Sequence, residues 1–204
     1  MGKLKIKKSD VWIDMTPMSD VMVLLLTFFM LSSNFVKNEA VKVITPQSEV
    51  TAKVPTSDVL DITIDPQGRV LMSTDKTSTL QGALEDILAA KGMEITGAQK
   101  KKFLDSPQFG IGLSKLKSFL DLDVEKMQEQ LRTADGIPTD SVNGGMSEFQ
   151  LWVKFMKQHD KDLKLCIKAD QSTPYVHIKK VMHELQDMSE NRYQLLTSYK
   201  KAED

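Results

Sequence analysis

The chain has 204 residues, with 27 Lys and Arg against 28 Asp and Glu and a formal net charge of -1. So even a balance argues against a nucleic-acid partner, the more so because only Arg69, Arg132 and Arg192 supply the fork that reads phosphates and bases. An apolar share of 41% fits one or two globular domains and excludes a multi-span membrane protein, and a lone cysteine, Cys166, excludes an internal disulfide.

The first feature in chain order is the most apolar one. Val21 to Leu31 reads VMVLLLTFFML, interrupted only by Thr27. Widened to residues 17–36, the window is 20 residues long with no Lys or Arg and one carboxylate, Asp20. At ~1.5 Å per residue such a helix reaches about 30 Å, the thickness of a hydrocarbon core. Lys3, Lys5, Lys7 and Lys8 precede it, while Lys37 and Lys42, offset by Glu39, follow it. The asymmetry predicts a single span over 14–36, with residues 1–13 in the cytoplasm and the rest of the chain outside. A cleaved signal peptide on a secreted binding module shares the pattern, but Ser32-Ser33-Asn34-Phe35 offers no Ala-x-Ala site. A buried core helix would not explain the charge asymmetry.

A carboxylate inside a spanning helix costs about 2.5–3.5 kcal/mol at the centre and marks a functional candidate. Thr16, Asp20, Thr27 and Asn34 follow one another at spacings that place them on one helical stripe. The competing role for Asp20 is local: Thr16-Pro17 can begin the helix, and an acid in its first turn would favour the dipole. Thr27 and Asn34 can likewise bond to a partner or back to their own helix.

Residues 37–58 are polar, contain Pro46 and Pro55, and read as a tether. A folded domain is expected over 59–204. Val59–Ile64 alternates, Asp65-Pro66-Gln67-Gly68 is a turn, and Arg69–Met72 can return as the second strand of a hairpin. Leu80, Ala83, Leu84, Ile87 and Leu88 mark a helix face that Thr79 can cap and Gly92 can end. Past a stretch containing Lys100-Lys101-Lys102 and a helix predicted over 124–131, Phe149, Trp152, Val153 and Met156 mark another helix, with Ser147 as cap. Leu163, Leu165, Ile167 and Ala169 alternate as a strand. Pro174 opens a helix with Ile178, Val181, Met182, Leu185 and Met188 on one face, and 193–197 closes the pattern as a strand. The order predicts an α+β fold: one N-terminal transmembrane helix, then a small mixed sheet with helices on one face.

Two separated stretches carry a family resemblance. Ile13-Asp14-Met15-Thr16-Pro17-Met18-Ser19-Asp20-Val21-Met22, with Phe29-Met30 beyond it, resembles the transmembrane signature of the ExbD/TolR family. Ile167-Lys168-Ala169-Asp170, then Pro174-Tyr175-Val176 and Val181-Met182, resembles the family's later block. The resemblance implies a bacterial inner-membrane subunit with a periplasmic domain. Its implied partners are an ExbB-like pentameric proton-channel protein, a TonB-like energy transducer and a second copy of itself. Asp20 is then the group that takes up and releases protons, with no other cofactor, and a TolR-like role in envelope maintenance is the near alternative.

The segment Ala40-Val41-Lys42-Val43-Ile44 resembles the extended stretch that follows the helix in the family. Val41 and Val43 are therefore candidates for edge pairing with a second copy or a transducer, against the alternative of a free linker. Asp170 and Tyr175 match the later block and are candidates for partner binding, or for shaping a turn and a helix start. Residues 93–145 exceed what the family usually needs. No nucleotide-binding or hydrolase motif occurs, and His159, His177 and His183 are not spaced as metal ligands, so neither an enzyme nor a metal site is expected.

Overall fold

The apolar run coils into one helix, α1 (Thr16–Ser32), in the computed structural model, which describes residues 15–32, 39–45, 47–48, 57–140, 145–196 and 198–199. Its 17 residues extend about 25 Å at ~1.5 Å per residue. Among the described residues no helix is long and apolar enough to cross a membrane. The outer parts of the predicted 14–36 span, Asn34 included, lie outside the described residues. The chain divides into two units, Met1–Val36 and Lys37–Asp204.

The second unit is α+β. Strands β2 (Val59–Ile64) and β3 (Val70–Thr74) form the expected hairpin, with Ile62 opposite Met72. Its turn is fixed by Asp65, whose carboxylate accepts the N–H groups of Gln67 at 3.0 Å and Arg69 at 2.9 Å. Gly68 there has φ 80, and a Cβ on it would fall 2.4 Å from His177 Nδ1, so backbone conformation and space both require glycine. Strand β4 (Lys164–Ala169) runs parallel to β2, and β5 (Tyr193–Leu196) parallel to β4, giving the order β3-β2-β4-β5. A separate two-residue pair joins β1 (Gln47–Ser48) to β6 (Ser198–Tyr199).

Helix α2 (Thr77–Lys91) starts three residues earlier than expected, with Lys76 rather than Thr79 at its N-cap. Thr79 faces the interior at 4% exposure and so cannot serve as the cap. Gly92 ends the helix as expected, at φ 62 in the left-handed region. Helix α6 (Glu148–His159) has the anticipated Ser147 cap, completed by Gln150 as a capping box. Helix α7 (Tyr175–Asp187) follows Pro174.

The segment 93–145 is not an appendage. It builds α3 (Gly97–Asp105), α4 (Leu113–Leu120) and α5 (Val124–Thr133), of which the sequence pattern marked only the last. Phe103, Leu116, Phe119, Met127 and Leu131 from these helices join the same core as Ile62, Leu84, Trp152 and Val181. Between α3 and α4 the chain passes beside β3, where Phe109 and Met72 exchange both backbone hydrogen bonds, at 2.7 and 2.9 Å. The outer edge of β3 is thereby paired rather than left open.

The sheet is buried on both faces. Leu60, Ile62, Ile64, Leu165 and Ile167 line one, while Thr63, Leu71, Ser73 and Cys166, on the other, are also buried. A sheet with one solvated face would have exposed the second set. Burial pushes the Cys166 thiol up to about 11, which leaves it an inert core group. At the base of the domain Lys76 reaches Asp160 at 2.6 Å and Asp58 at 2.5 Å, raising the lysine's pKa and holding Asp160 below the usual carboxylate range.

Candidate functional site: a helix with one acid and a bound strap

Every residue of α1 is exposed within its unit. The apolar side chains point in all directions, from Met18 and Met22 near the start to Phe28, Phe29 and Leu31 near the end. A helix apolar on every side needs lipid or protein around it. Asp20 is its one charged residue, and no acid stands in its first turn. Asp20 is thus set one turn in, where the helix dipole has largely decayed.

Thr16 opens the helix and Thr27 lies on the Asp20 side, seven residues on. The Thr27 hydroxyl donates within its own helix, to Val23 O at 2.9 Å and Leu24 O at 3.0 Å. That satisfies its donor capacity and leaves its lone pairs available.

In the second unit, the segment expected to be a tether is held against the domain over residues 39–45. Val41 forms no ladder with another strand there. Its N–H donates to Gln108 Oε1 at 3.1 Å, and its carbonyl accepts from Gln108 Nε2 at 3.3 Å. Val43 is half-buried beside it. Ile44 donates its N–H to Asp170 Oδ2 at 2.8 Å and accepts the Gln171 N–H at 2.7 Å.

Asp170 also accepts the Ser172 hydroxyl at 2.6 Å and the Ser172 N–H at 3.0 Å. These bonds, with the one from Ile44, hold its carboxyl below the usual range. Asp170 therefore shapes the turn after β4 and grips the strap at once. Tyr175, 66% exposed, stands at the first position of α7. Asp170 and Val41 thus belong to one bound strap, whereas Tyr175 stands outward. Gln108 and Arg132, which also touch the strap, were not foreseen: neither lies in a motif, and a glutamine after Ser106-Pro107 gives no sign of burial.

Among the described residues no group of three or more His, Cys, Asp or Glu is placed to hold a metal. The class defined by these features is a two-part protein, in which an uncovered apolar helix bearing a single acid is chained to an α+β domain. The family model for biopolymer transport protein ExbD/TolR matches residues 7–200, nearly the whole chain, and the chain belongs to that family. No curated protein and no solved structure matches it. Members of the family are components of biopolymer transport rather than enzymes.

Proposed function

We propose that this protein is the proton-carrying subunit of a motor that uses the proton-motive force to energise outer-membrane transport. On this reading α1 and its flanks span the bacterial inner membrane once, with the N-terminus in the cytoplasm and the folded unit in the periplasm. An ExbB-like pentamer surrounds two copies of the helix, and a TonB-like transducer receives the motion.

The observation that carries the reading is Asp20, the one charged side chain in a helix otherwise apolar on all sides. In a low-dielectric environment a carboxylate favours its neutral form, so a change of surroundings can make it take up or release a proton. Neutral, it tolerates an apolar wall; charged, it requires a polar partner. Protonation is thereby tied to the rotational position of the helix. Each proton crossing 100 mV releases about 2.3 kcal/mol, enough for a modest conformational step.

The test is Asp20→Asn in cells and in proteoliposomes with the co-purified channel protein. Transport and proton conduction should both fall to the level of the deletion. Retained conduction would refute the proton-carrier role, even with the protein still anchored. A defect confined to envelope integrity, with energised uptake intact, would assign the protein to the TolR branch.

A further inference from the structure

The excess segment 93–145 and the strap 39–45 meet on the second face of the sheet. The Phe109–Met72 pairing sets Gln108 beside Ser73 and Gly110 beside Leu71 on that face. A Cβ on Gly110 would lie 2.8 Å from Leu71 Cγ, so the inserted chain runs tightly against the edge of the strand. Gln108 is fully buried there, and its amide binds both backbone groups of Val41 as a neighbouring strand would. From the end of α5, Arg132 Nε donates to Ala40 O at 3.2 Å. At the far side Asp170 and Gln171 hold Ile44, and Lys168 on β4 lies 3.8 Å from Glu39.

We propose that the inserted segment is a latch: through Gln108 and Arg132 it clips the strap onto the domain, and its opening adds the strap's own length to the chain between α1 and the folded unit. With the strap held, the seven chain steps from Ser32 to Glu39 reach at most about 25 Å at ~3.5 Å per step. With it released, the fifteen steps from Ser32 to Gln47 reach about 50 Å. The insertion therefore doubles or halves the distance over which a membrane-held helix can place the domain.

Two features mark the contact as one made to open. The strap is gripped largely through its backbone: Lys42 is exposed and Ile44 is 73% exposed, Val41, Val43 and Thr45 are half-buried, and only Ala40 is fully buried. On the face it crosses, between Leu71 and Lys168, the buried Thr63 hydroxyl has no hydrogen-bond partner. A permanently sealed layer would have paired or replaced that group.

Amide hydrogen exchange on the full-length protein in lipid nanodiscs tests the latch. Gln108→Ala should speed exchange about tenfold at both Val41 and Ile44, with Ile62 and Ile167 in the sheet unchanged. Ile44 decides the matter, because Asp170 holds its amide and Gln108 does not touch it. Acceleration at Val41 alone would overturn the latch in favour of independent contacts, as would free-peptide exchange at both amides in the unaltered protein. Should Gln108→Ala weaken protection at Ile62, Arg132→Ala replaces it; a faster Ile44 then supports the latch and an unchanged Ile44 overturns it. Spin labels at Ser32 and Ser78 read the reach: the variant that opens the strap should extend the distance distribution upward, and an identical distribution would refute the gain in length.

Discussion

Replacing Phe103 by alanine probes whether the inserted helices are part of the domain's single folding unit. Phe103 sits on α3 at 1% exposure, with its ring centroid 5.7 Å from Trp152 of α6 and 5.3 Å from Phe109 beside β3. Those contacts run from α3 to α6 and to the inserted chain paired with β3. A buried Phe→Ala change costs about 3–5 kcal/mol in lost transfer energy and residual cavity. The aromatic pairings place it toward the upper end, since each is worth about 0.5–1.5 kcal/mol beyond area. With a urea m-value of roughly 2 kcal/mol/M, the midpoint should fall by about 2 M. The measurement is urea unfolding of the full chain in mild detergent, followed by far-UV circular dichroism and by Trp152 fluorescence in a Trp12→Phe background. Both probes should shift together. A loss below about 1 kcal/mol, or an early transition seen by one probe alone, would refute the single-core account.

Two further outcomes follow from polar groups of the domain. Thr63→Val removes a buried hydroxyl that has no partner while keeping a β-branched shape, so the domain should gain up to about 1 kcal/mol; destabilisation in the same urea assay would mean the hydroxyl is paired. Asp160 is held below its ordinary value of 3.8 by Lys76, so its stabilising contribution is complete above about pH 4 and is lost as pH falls through the lowered value. Urea midpoints measured between about pH 2 and 7 should therefore drop steeply below about 4, and Asp160→Asn should flatten that drop; an unaltered slope would assign the acid sensitivity to other carboxylates.

The elements that the sequence made legible are those built from local rules. Hairpin and strand alternation, the Ser147 capping box and the Gly92 stop each depend on residues within a few positions of one another. The α3 and α4 helices were missed because they are short and mixed in character: α3 runs GAQKKKFLD, with three lysines in a row and only Gln99 and Phe103 buried. What makes that stretch helical is the Thr96–Gln99 cap and the aromatic pocket that receives Phe103. Thr79 misled because a cap and a buried threonine look alike in sequence. Asp20 stands out in the sequence as an acid in an apolar run, and α1 keeps it as the helix's one charge. Gln108 was not, since its partner is the backbone of Val41, 67 residues away, and backbone recognition leaves no mark on the partner's side chains.

The strap and the proton step meet in their energy scale. Five hydrogen bonds hold residues 40–44, from the N–H and carbonyl of Val41, the carbonyl of Ala40, and the N–H and carbonyl of Ile44. At about 0.5–1.5 kcal/mol each they contribute roughly 2.5–7.5 kcal/mol. Ordering the backbone of the seven residues 39–45 opposes them by about 7 kcal/mol, at roughly 1 kcal/mol per residue. The two sums meet only at the upper end of the hydrogen-bond range, so the strap is held by a narrow margin to which Ala40 and the half-buried Val41 and Val43 contribute. On the motor reading, one or two protons crossing 100 mV, at about 2.3 kcal/mol each, suffice to tip such a balance. Three buried leucines in the strap would add about 1.5–3 kcal/mol apiece and put release beyond that reach. A strap held largely by its backbone, with Lys42 and Ile44 outside and Ala40 alone fully buried, keeps release on that scale.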